Sequence, residues 1–274
     1  MGGSRHDEQD QSLLAGAGAL SPGASETGRG ARVLLVHGSF SWAEGTFASQ
    51  SALVADHSLV LIERRGTARG QPAPRADFEA DRDDLRSLLR EPAHLVGHSY
   101  GAIGCLLAAS EMPDQVRSLT LVEPPFYQVA IDHPAVQALL PSLASVYGLA
   151  PEVDDAEIWP AFRRALGFDD APSSSDPAWA AAVRSARAER PPWEARLPVR
   201  DWLQFRFPRW VVSGDWANAP DRARARGGAA LIAVADALAR QIGAVRHVIP
   251  GAGHNPFPRP AMNDLLRQIF ATGR

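Results

Sequence analysis

The chain has 274 residues, 45% of them hydrophobic, which is typical of one large globular domain with an insertion or of two smaller domains. Its formal net charge is −3 without any block of basic residues, so nucleic acid is not an expected partner. The sequence has no lysine, which excludes chemistry through a lysine Schiff base, and its single cysteine, Cys105, cannot form an internal disulfide.

The N-terminal region, residues 1–30, is rich in glycine, alanine and serine and shows no periodicity. We expect it to be a flexible leader. It lacks the basic start of a signal peptide, and no apolar stretch of the chain approaches the ~18 residues of a membrane span. We therefore expect a cytoplasmic protein with no membrane partner.

Short runs rich in apolar residues indicate strands, and the continuous run Arg32–Val36 indicates a strand that is buried on both faces of a sheet. They alternate with amphipathic or Ala/Leu-rich segments that are typical of helices. This alternation predicts an α/β fold, with a mostly parallel, doubly wound sheet and helices on both faces. In chain order, the predicted strands are Arg32–Val36, Ser58–Ile62, Ala93–Val96, Ser118–Val122, Trp210–Ser213 and Val245–Ile249.

Between the third predicted strand and the helical run 102–109 lies the sequence Gly-His-Ser-Tyr-Gly, residues 97–101. The strand and helix backbones nearly touch at such a turn, and Gly97 and Gly101 supply the small residues that it needs. Ser99 then stands at the end of the strand and at the positive end of the helix dipole. The arrangement resembles the nucleophile elbow of the α/β-hydrolase family.

Two further turns carry the same resemblance. The first predicted strand ends in His-Gly-Ser-Phe, residues 37–40, where family members form half of the oxyanion hole. The resemblance implies that the backbone N–H groups of Ser39 and Tyr100 hold the oxyanion. The last predicted strand runs into Gly253-His254, and the resemblance gives His254 the role of catalytic histidine.

The family pattern breaks at the acid that should orient this histidine. Most members carry it in a turn after the seventh strand, and here the expected position is Ala217. Some branches, among them zearalenone lactone hydrolases, place it at the end of the sixth strand, where this chain has Glu123. We expect Glu123 to be the acid, with Asp215 and Asp221 as the alternatives.

Residues 126–207 do not alternate as strands do. They contain three Ala- and Leu-bearing pieces separated by proline-rich breaks, and they resemble the helical cap that many family members insert. The hydrolase core would then comprise residues 31–125 and 208–274. From the cap and from the loops near the elbow we expect contacts to substrate by Phe40, Trp42, Phe126 and Trp159.

The resemblance implies a serine hydrolase that cleaves an ester, lactone or thioester of a mainly apolar small molecule through an acyl-enzyme on Ser99. It implies no metal and no organic cofactor. Two alternatives remain open at this point. One is hydrolysis of a carbon–carbon bond, or acyl transfer or cyclisation, in a biosynthetic pathway. The other is a non-catalytic protein that binds a small molecule on the same fold.

Overall fold

A computed structural model describes residues 23–67, 76–149, 152–198 and 200–273 of the protein. These residues form one seven-stranded sheet with the strand order β1-β3-β2-β4-β5-β6-β7. Strands β2 to β7 pair in parallel, and only β1 is antiparallel to its neighbour. The strands are β1 (Ala24–Thr27), β2 (Ala31–Val36), β3 (His57–Ile62), β4 (Ala93–His98), β5 (Val116–Val122), β6 (Arg209–Gly214) and β7 (Val245–Ile249).

Helices connect the parallel strands, as parallel pairing requires. They are α1 (Ala43–Phe47), α2 (Phe78–Leu88), α3 (Tyr100–Glu111), α4 (Pro134–Tyr147), α5 (Asp155–Leu166), α6 (Ala178–Arg187), α7 (Asp221–Ala223), α8 (Ala229–Ile242) and α9 (Pro260–Thr272). None of the helices in the described part of the chain is both long enough and apolar enough to cross a membrane.

The sheet separates two hydrophobic cores, because successive side chains of a strand point to opposite faces. Val33 and Leu34 are neighbours in β2, and each lies in a different core. The core around Leu34 contains α2, α3 and α8, whereas the core around Val33 contains α9. A β2 strand buried on both faces explains its uninterrupted apolar run. The predicted α/β class with a mostly parallel sheet is confirmed.

The prediction of a flexible leader over residues 1–30 is wrong for its last part, since Ala24–Thr27 forms β1 at the sheet edge. Strand β1 has a single neighbour, and three of its four side chains are exposed. Polar residues are therefore tolerated there, and only Ala24 is apolar, so the sequence shows no strand pattern. Glu26 ties this strand to Arg32 and Ser58. Residues 1–22 of the predicted leader lie outside the described residues.

Helices α4, α5 and α6 all lie between β5 and β6, in the segment 126–207 that we call the insertion. Helix α4 packs against α8 of the core and against α5, and α5 packs against α6. After α6, still within the insertion, the N–H of Arg190 donates to the carbonyl of Ala76 next to α2. The insertion therefore covers the end of the sheet at which β4 and β5 finish.

Candidate active site

The carboxyl ends of the parallel strands lie along one edge of the sheet, and the predicted site residues follow these ends. Phe40 lies beyond β2 with φ 53°, Ser99 follows β4 with φ 48°, and Glu123 follows β5 with φ 50°. Trp216, beyond β6, has φ 57°. Each of these conformations costs a non-glycine residue about 1–3 kcal/mol, and such strain is concentrated at functional sites. The backbone is thus most constrained where the strands deliver these side chains.

The turn around Ser99 depends on its glycines for space. A Cβ at Gly97 would lie 2.5 Å from the Cα of Ala102, and one at Gly101 would lie 2.4 Å from the carbonyl oxygen of His37. Both clashes are with backbone atoms, which cannot move aside without moving a strand or a helix. The close approach of strand and helix expected from the sequence is therefore confirmed.

Ser99 and His254 meet directly, with 2.9 Å between Oγ of Ser99 and Nε2 of His254. His98 supports this pair from the protein interior, because its Nε2 donates to the backbone carbonyl of His254 at 2.8 Å. Burial, together with the neighbouring His254, lowers the pKa of His98 to about 3. A neutral His98 holds the loop of His254 through this hydrogen bond, and its low pKa means that it does not act as the base for Ser99.

Glu123 is fully buried, and its two carboxylate oxygens have different surroundings. Oε1 accepts hydrogen bonds from the N–H of Gly214 at 2.7 Å and from the indole of Trp216 at 3.3 Å. Oε2 lies 3.5 Å from Nδ1 of His254. Because Oε1 is anchored, Oε2 faces the imidazole on the side away from Ser99. A carboxylate in this position can hold the tautomer of His254 that accepts a proton at Nε2.

The two alternative acids are engaged elsewhere. The carboxylate of Asp215 accepts the N–H groups of Ala217 and Gly251 at 3.0 Å and 2.9 Å, and these hydrogen bonds lower its pKa. It ties the turn after β6 to the turn after β7. The side chain of Asp221 is 92% exposed and pairs with Arg224. The structure therefore brings Glu123 to His254 and gives the two aspartates structural partners.

Ser39 and Tyr100, the residues predicted to form the oxyanion hole, both line the small chamber that contains Ser99 and His254. Tyr100 is the first residue of α3, and the first N–H groups of a helix have no acceptor within the helix. Gly38 is pressed against the nucleophile, since a Cβ there would lie 2.7 Å from Cβ of Ser99. The two loops thus bound the position where a carbonyl oxygen would approach Ser99.

A buried cluster of charges behind this chamber was not predicted from the sequence. Arg64 pairs with Asp81 of α2 and with Glu189 of the insertion, at 2.8 Å in both cases, and all three side chains are almost fully buried. Glu189 also accepts a short hydrogen bond from the hydroxyl of Ser39. Burial raises the pKa of Glu189, against the opposing effect of Arg64. The cluster connects the core, the insertion and the predicted oxyanion loop.

Two cavities meet at the site. The inner chamber, of about 20 Å³, contains Ser99 and His254. The outer cavity, of about 200 Å³, lies among α4, α5, α6 and Phe40. Tyr147 and Phe162 line both cavities and so form the wall between them. Phe162 lies three residues after Trp159 in α5, so the two side chains share a face of the helix, and the prediction for Trp159 could have been extended to Phe162. No sequence signal marks Tyr147.

The four predicted substrate contacts have different positions. Phe40 lines the outer cavity, and the ring of Trp159 packs against it with 5.1 Å between centroids. Trp42 and Phe126 line neither of these two cavities, and their contact with substrate stays a prediction. The ring of Trp42 lies over Gly45 at the start of α1. Phe126 is fully buried in the hydrophobic core, because the chain after β5 turns this side chain inward.

This chain belongs to the Alpha/beta hydrolase family, whose sequence model matches residues 33–262. The match includes both turns that line the inner chamber and the segments that carry Glu123 and His254. The family resemblance seen in the sequence is therefore confirmed.

Individual relatives match over shorter stretches. The chain is similar to the "Probable lysophospholipase BODYGUARD 3" of Arabidopsis thaliana, with 32% identity over 35% of this chain and 22% of that protein. It is also similar to a candidate carbamate hydrolase, RutD, of Azorhizobium caulinodans, with 40% identity over 26% of this chain and 29% of that protein. The matches thus span less than a third of either curated relative.

Among solved structures, a thermophilic esterase from Thermogutta terrifontis superimposes with a TM-score of 0.56 and 24% identity. The superposition covers 90% of this chain and 93% of the esterase. At this level of identity the likeness concerns the fold alone.

Proposed function

We propose that this protein hydrolyses carboxylic esters or lactones of mainly apolar small molecules through an acyl-enzyme on Ser99. The observation that carries the proposal is the 2.9 Å approach of Ser99 Oγ to His254 Nε2. A serine hydroxyl is a weak nucleophile until a neighbouring base removes its proton. The names of the Thermogutta esterase and of the Arabidopsis lysophospholipase, both of which refer to ester cleavage, agree with this reaction class.

In the first half of the reaction, Oγ of Ser99 attacks the carbonyl carbon while its proton passes to Nε2 of His254. The resulting tetrahedral oxyanion accepts hydrogen bonds from the backbone N–H groups of Ser39 and Tyr100. When the intermediate collapses, the bond to the alcohol oxygen breaks, and His254 gives its proton to that oxygen. The alcohol leaves, and the acyl group remains on Ser99.

In the second half, a water molecule gives a proton to Nε2 of His254 and attacks the acyl-enzyme. The bond to Oγ of Ser99 then breaks, Ser99 recovers its proton from His254, and the carboxylic acid leaves. His254 is positively charged in both halves. The carboxylate of Glu123 stabilises that charge from Nδ1 and does not itself need to take the proton.

We assign the insertion the role of a cap that selects the substrate. The inner chamber lies between the strand ends and the insertion, and aliphatic and aromatic side chains dominate its lining beyond Ser39, Ser99 and His254. Burial of apolar surface is the main source of affinity that such walls offer. A mainly apolar substrate follows, with its polar carbonyl directed to Ser99.

The proposal is tested by treating the purified protein with a fluorophosphonate probe and by screening a panel of p-nitrophenyl esters and lactones. We expect the probe to label Ser99 and at least one ester to turn over. The Ser99→Ala variant should keep the fold, by circular dichroism, and should lose on the order of 10⁶ in kcat, as removal of a triad nucleophile does.

The same screen separates the alternatives. Labelling of Ser99 without turnover of any ester or lactone would favour carbon–carbon bond cleavage or acyl transfer, which a panel of β-diketones and acceptor alcohols then distinguishes by product analysis. No labelling, together with binding of small molecules by the intact protein, would overturn the hydrolase assignment in favour of a non-catalytic binding protein.

A further inference from the structure

The two cavities at the site differ about tenfold in volume, about 20 Å³ for the inner chamber and about 200 Å³ for the outer cavity. The inner chamber has room for roughly one water-sized group beside the reacting atoms. The two sides of an ester bond must therefore be very unequal in size if one side occupies the outer cavity. The question is which side lies there.

The position of His254 determines which side of the ester lies in the outer cavity. The alcohol oxygen of an ester must face Nε2 of His254 to receive its proton, so the alcohol extends toward the histidine. The acyl group is the remaining substituent of the carbonyl carbon and extends away from it. His254 lines the inner chamber, whereas the outer cavity is lined on the core side by Phe40, next to the predicted oxyanion residue Ser39.

The wall between the two cavities consists of two side chains, Tyr147 and Phe162. The ring of Tyr147 packs on Trp193 at 5.1 Å, and burial, with the nearby Glu189 carboxylate, raises the pKa of its phenol, which stays neutral. Phe162 packs on Phe40 with 4.7 Å between centroids and is only partly buried. Tyr147 is also partly buried, so neither side chain of the wall is enclosed in the core, and a turn of either ring opens a passage.

The outer cavity offers an apolar surface to a chain that enters it. Val146, Leu149, Ile158 and Ala186 are aliphatic and line its sides. The one charged group among these lining residues, Arg187, is already paired with Asp155 at 3.1 Å. A flexible hydrocarbon fits this lining better than a group that carries its own charge.

We infer that the preferred substrates are esters with a small alcohol and an extended apolar acyl chain, which passes between Tyr147 and Phe162 into the outer cavity. The inference rests on the proposed function, since it assumes that Ser99 attacks an ester carbonyl. It adds the division of the substrate between the cavities, which the reaction class alone does not give.

The test compares methyl octanoate with heptyl acetate, two isomers that place the long chain on opposite sides of the same ester bond. We expect kcat/KM to be about tenfold or more higher for methyl octanoate. In the methyl ester series from acetate to octanoate, kcat/KM should rise about fourfold per methylene until the outer cavity is filled. Equal or better hydrolysis of heptyl acetate would overturn the inference.

A variant then locates the effect. Val146→Trp adds a large ring to the outer cavity, and it should lower kcat/KM for methyl octanoate about tenfold more than for methyl acetate. The matched control is Ala144→Trp on the exposed side of the same helix, which should leave the ratio unchanged. Equal losses on both esters in Val146→Trp would also contradict the inference.

Failure of the inference is distinguishable from failure of the proposed function. If Ser99 is labelled and both isomers are hydrolysed with the wrong preference, only the division between the cavities is wrong. If no ester is hydrolysed and Ser99 is not labelled, the reaction itself is wrong and the inference falls with it. The comparison of isomers uses the unmodified protein, so it does not depend on the variants folding.

Discussion

Oε2 of Glu123 and Nδ1 of His254 face each other at 3.5 Å, and neither atom has a hydrogen-bond partner elsewhere in the described part of the chain. Both are buried atoms, and an unpaired polar atom in the interior costs roughly 1–3 kcal/mol. The other oxygen of Glu123 is anchored by Gly214 and Trp216. Hydrogen bonds between catalytic groups are often long in the free enzyme and shorten in the complex with substrate, so the two atoms are placed to pair when His254 becomes positively charged.

This relationship predicts that Glu123→Gln removes the charge that stabilises the imidazolium while it keeps the shape of the side chain. We expect kcat on an activated ester to fall by roughly 10³–10⁴. Asp215→Asn is the comparison, since its carboxylate serves the turns through Ala217 and Gly251, and it should cost far less. Both are measured on p-nitrophenyl acetate, with circular dichroism to confirm folding.

A large loss for Asp215→Asn and a small one for Glu123→Gln would reverse the assignment. Small losses in both variants would leave a Ser99–His254 dyad without an acid. In that case Asp221→Asn would be measured next.

The contact between Gly38 and Ser99 gives a second prediction. Gly38→Ala places a Cβ 2.7 Å from Cβ of Ser99 and 3.3 Å from its Oγ, so the nucleophile must shift. A displacement of about 1 Å can cost about 10² in rate, and we expect a fall in kcat of this order with little change in the folded structure. The measurement is kcat with the rate of fluorophosphonate labelling, which reports directly on Ser99.

The matched control is Gly253→Ala, on the other side of the site and next to His254. A Cβ at Gly253 would meet no atom within 4 Å, so this variant should keep kcat within about twofold of the original. Equal losses in the two variants would mean that the site tolerates no change at its glycines and that the contact with Ser99 is not the cause.

The sequence predicted the order of strands and helices because buried parallel strands are rich in apolar residues, as in the continuous run Val33–Val36 of β2. It also identified which residues meet at the site. Ser99, Glu123 and His254 all follow the ends of parallel strands. These ends lie on one edge of the sheet, whichever helices and loops connect the strands. The strand Ala24–Thr27 was not predicted, because an edge strand with exposed side chains has no apolar pattern.

The remaining features depend on contacts between distant parts of the chain. Arg64 and Glu189 are paired in the interior although 125 residues separate them, and no sequence pattern indicates that they pair. Phe126 and Trp42 are aromatic residues that follow strand ends, and neither lines the inner chamber or the outer cavity. Whether such a ring turns inward or toward a cavity depends on backbone angles in a single turn, which residue type does not determine.

A third prediction concerns stability and pH. His94 is buried beside Phe270 and its Nδ1 contacts the hydroxyl of Ser118 at 2.7 Å. Burial, with the charges of His57 and Arg117, lowers its pKa from 6.5 to about 3. Below pH 6.5 His94 binds a proton in the unfolded chain but not in the folded chain. The contribution of His94 to the free energy of unfolding therefore falls as the pH falls toward 3, by at most about 1.4 kcal/mol per pH unit.

The measurement is urea denaturation at pH 7 and pH 5. In His94→Gln the decrease between these two pH values should be smaller by about 2 kcal/mol than in the original protein. Ser118→Ala is the control, since it removes the hydrogen bond but keeps the histidine buried. It should lower stability at both pH values and keep the pH dependence. An unchanged pH dependence in His94→Gln would show that His94 is protonated in the folded state.

The last prediction concerns the buried cluster of Arg64, Asp81 and Glu189, which holds one positive and two negative groups. Arg64→Met leaves two carboxyl groups facing each other in the interior and should lower the free energy of unfolding by roughly 3–5 kcal/mol. Glu189→Gln leaves Arg64 and Asp81 as a balanced pair, and it should cost only about 1 kcal/mol. The free energies are measured by urea denaturation at pH 7.

Adding Glu189→Gln to Arg64→Met removes one of the two stranded carboxyl groups. The double variant should therefore be more stable than Arg64→Met alone, a non-additive result that requires direct coupling between residues 64 and 189. Because Glu189 also accepts the hydroxyl of Ser39, Glu189→Gln should lower kcat more than it raises KM. Additive losses in the double variant, or a change in KM alone, would show that the cluster does not connect the insertion to the oxyanion loop.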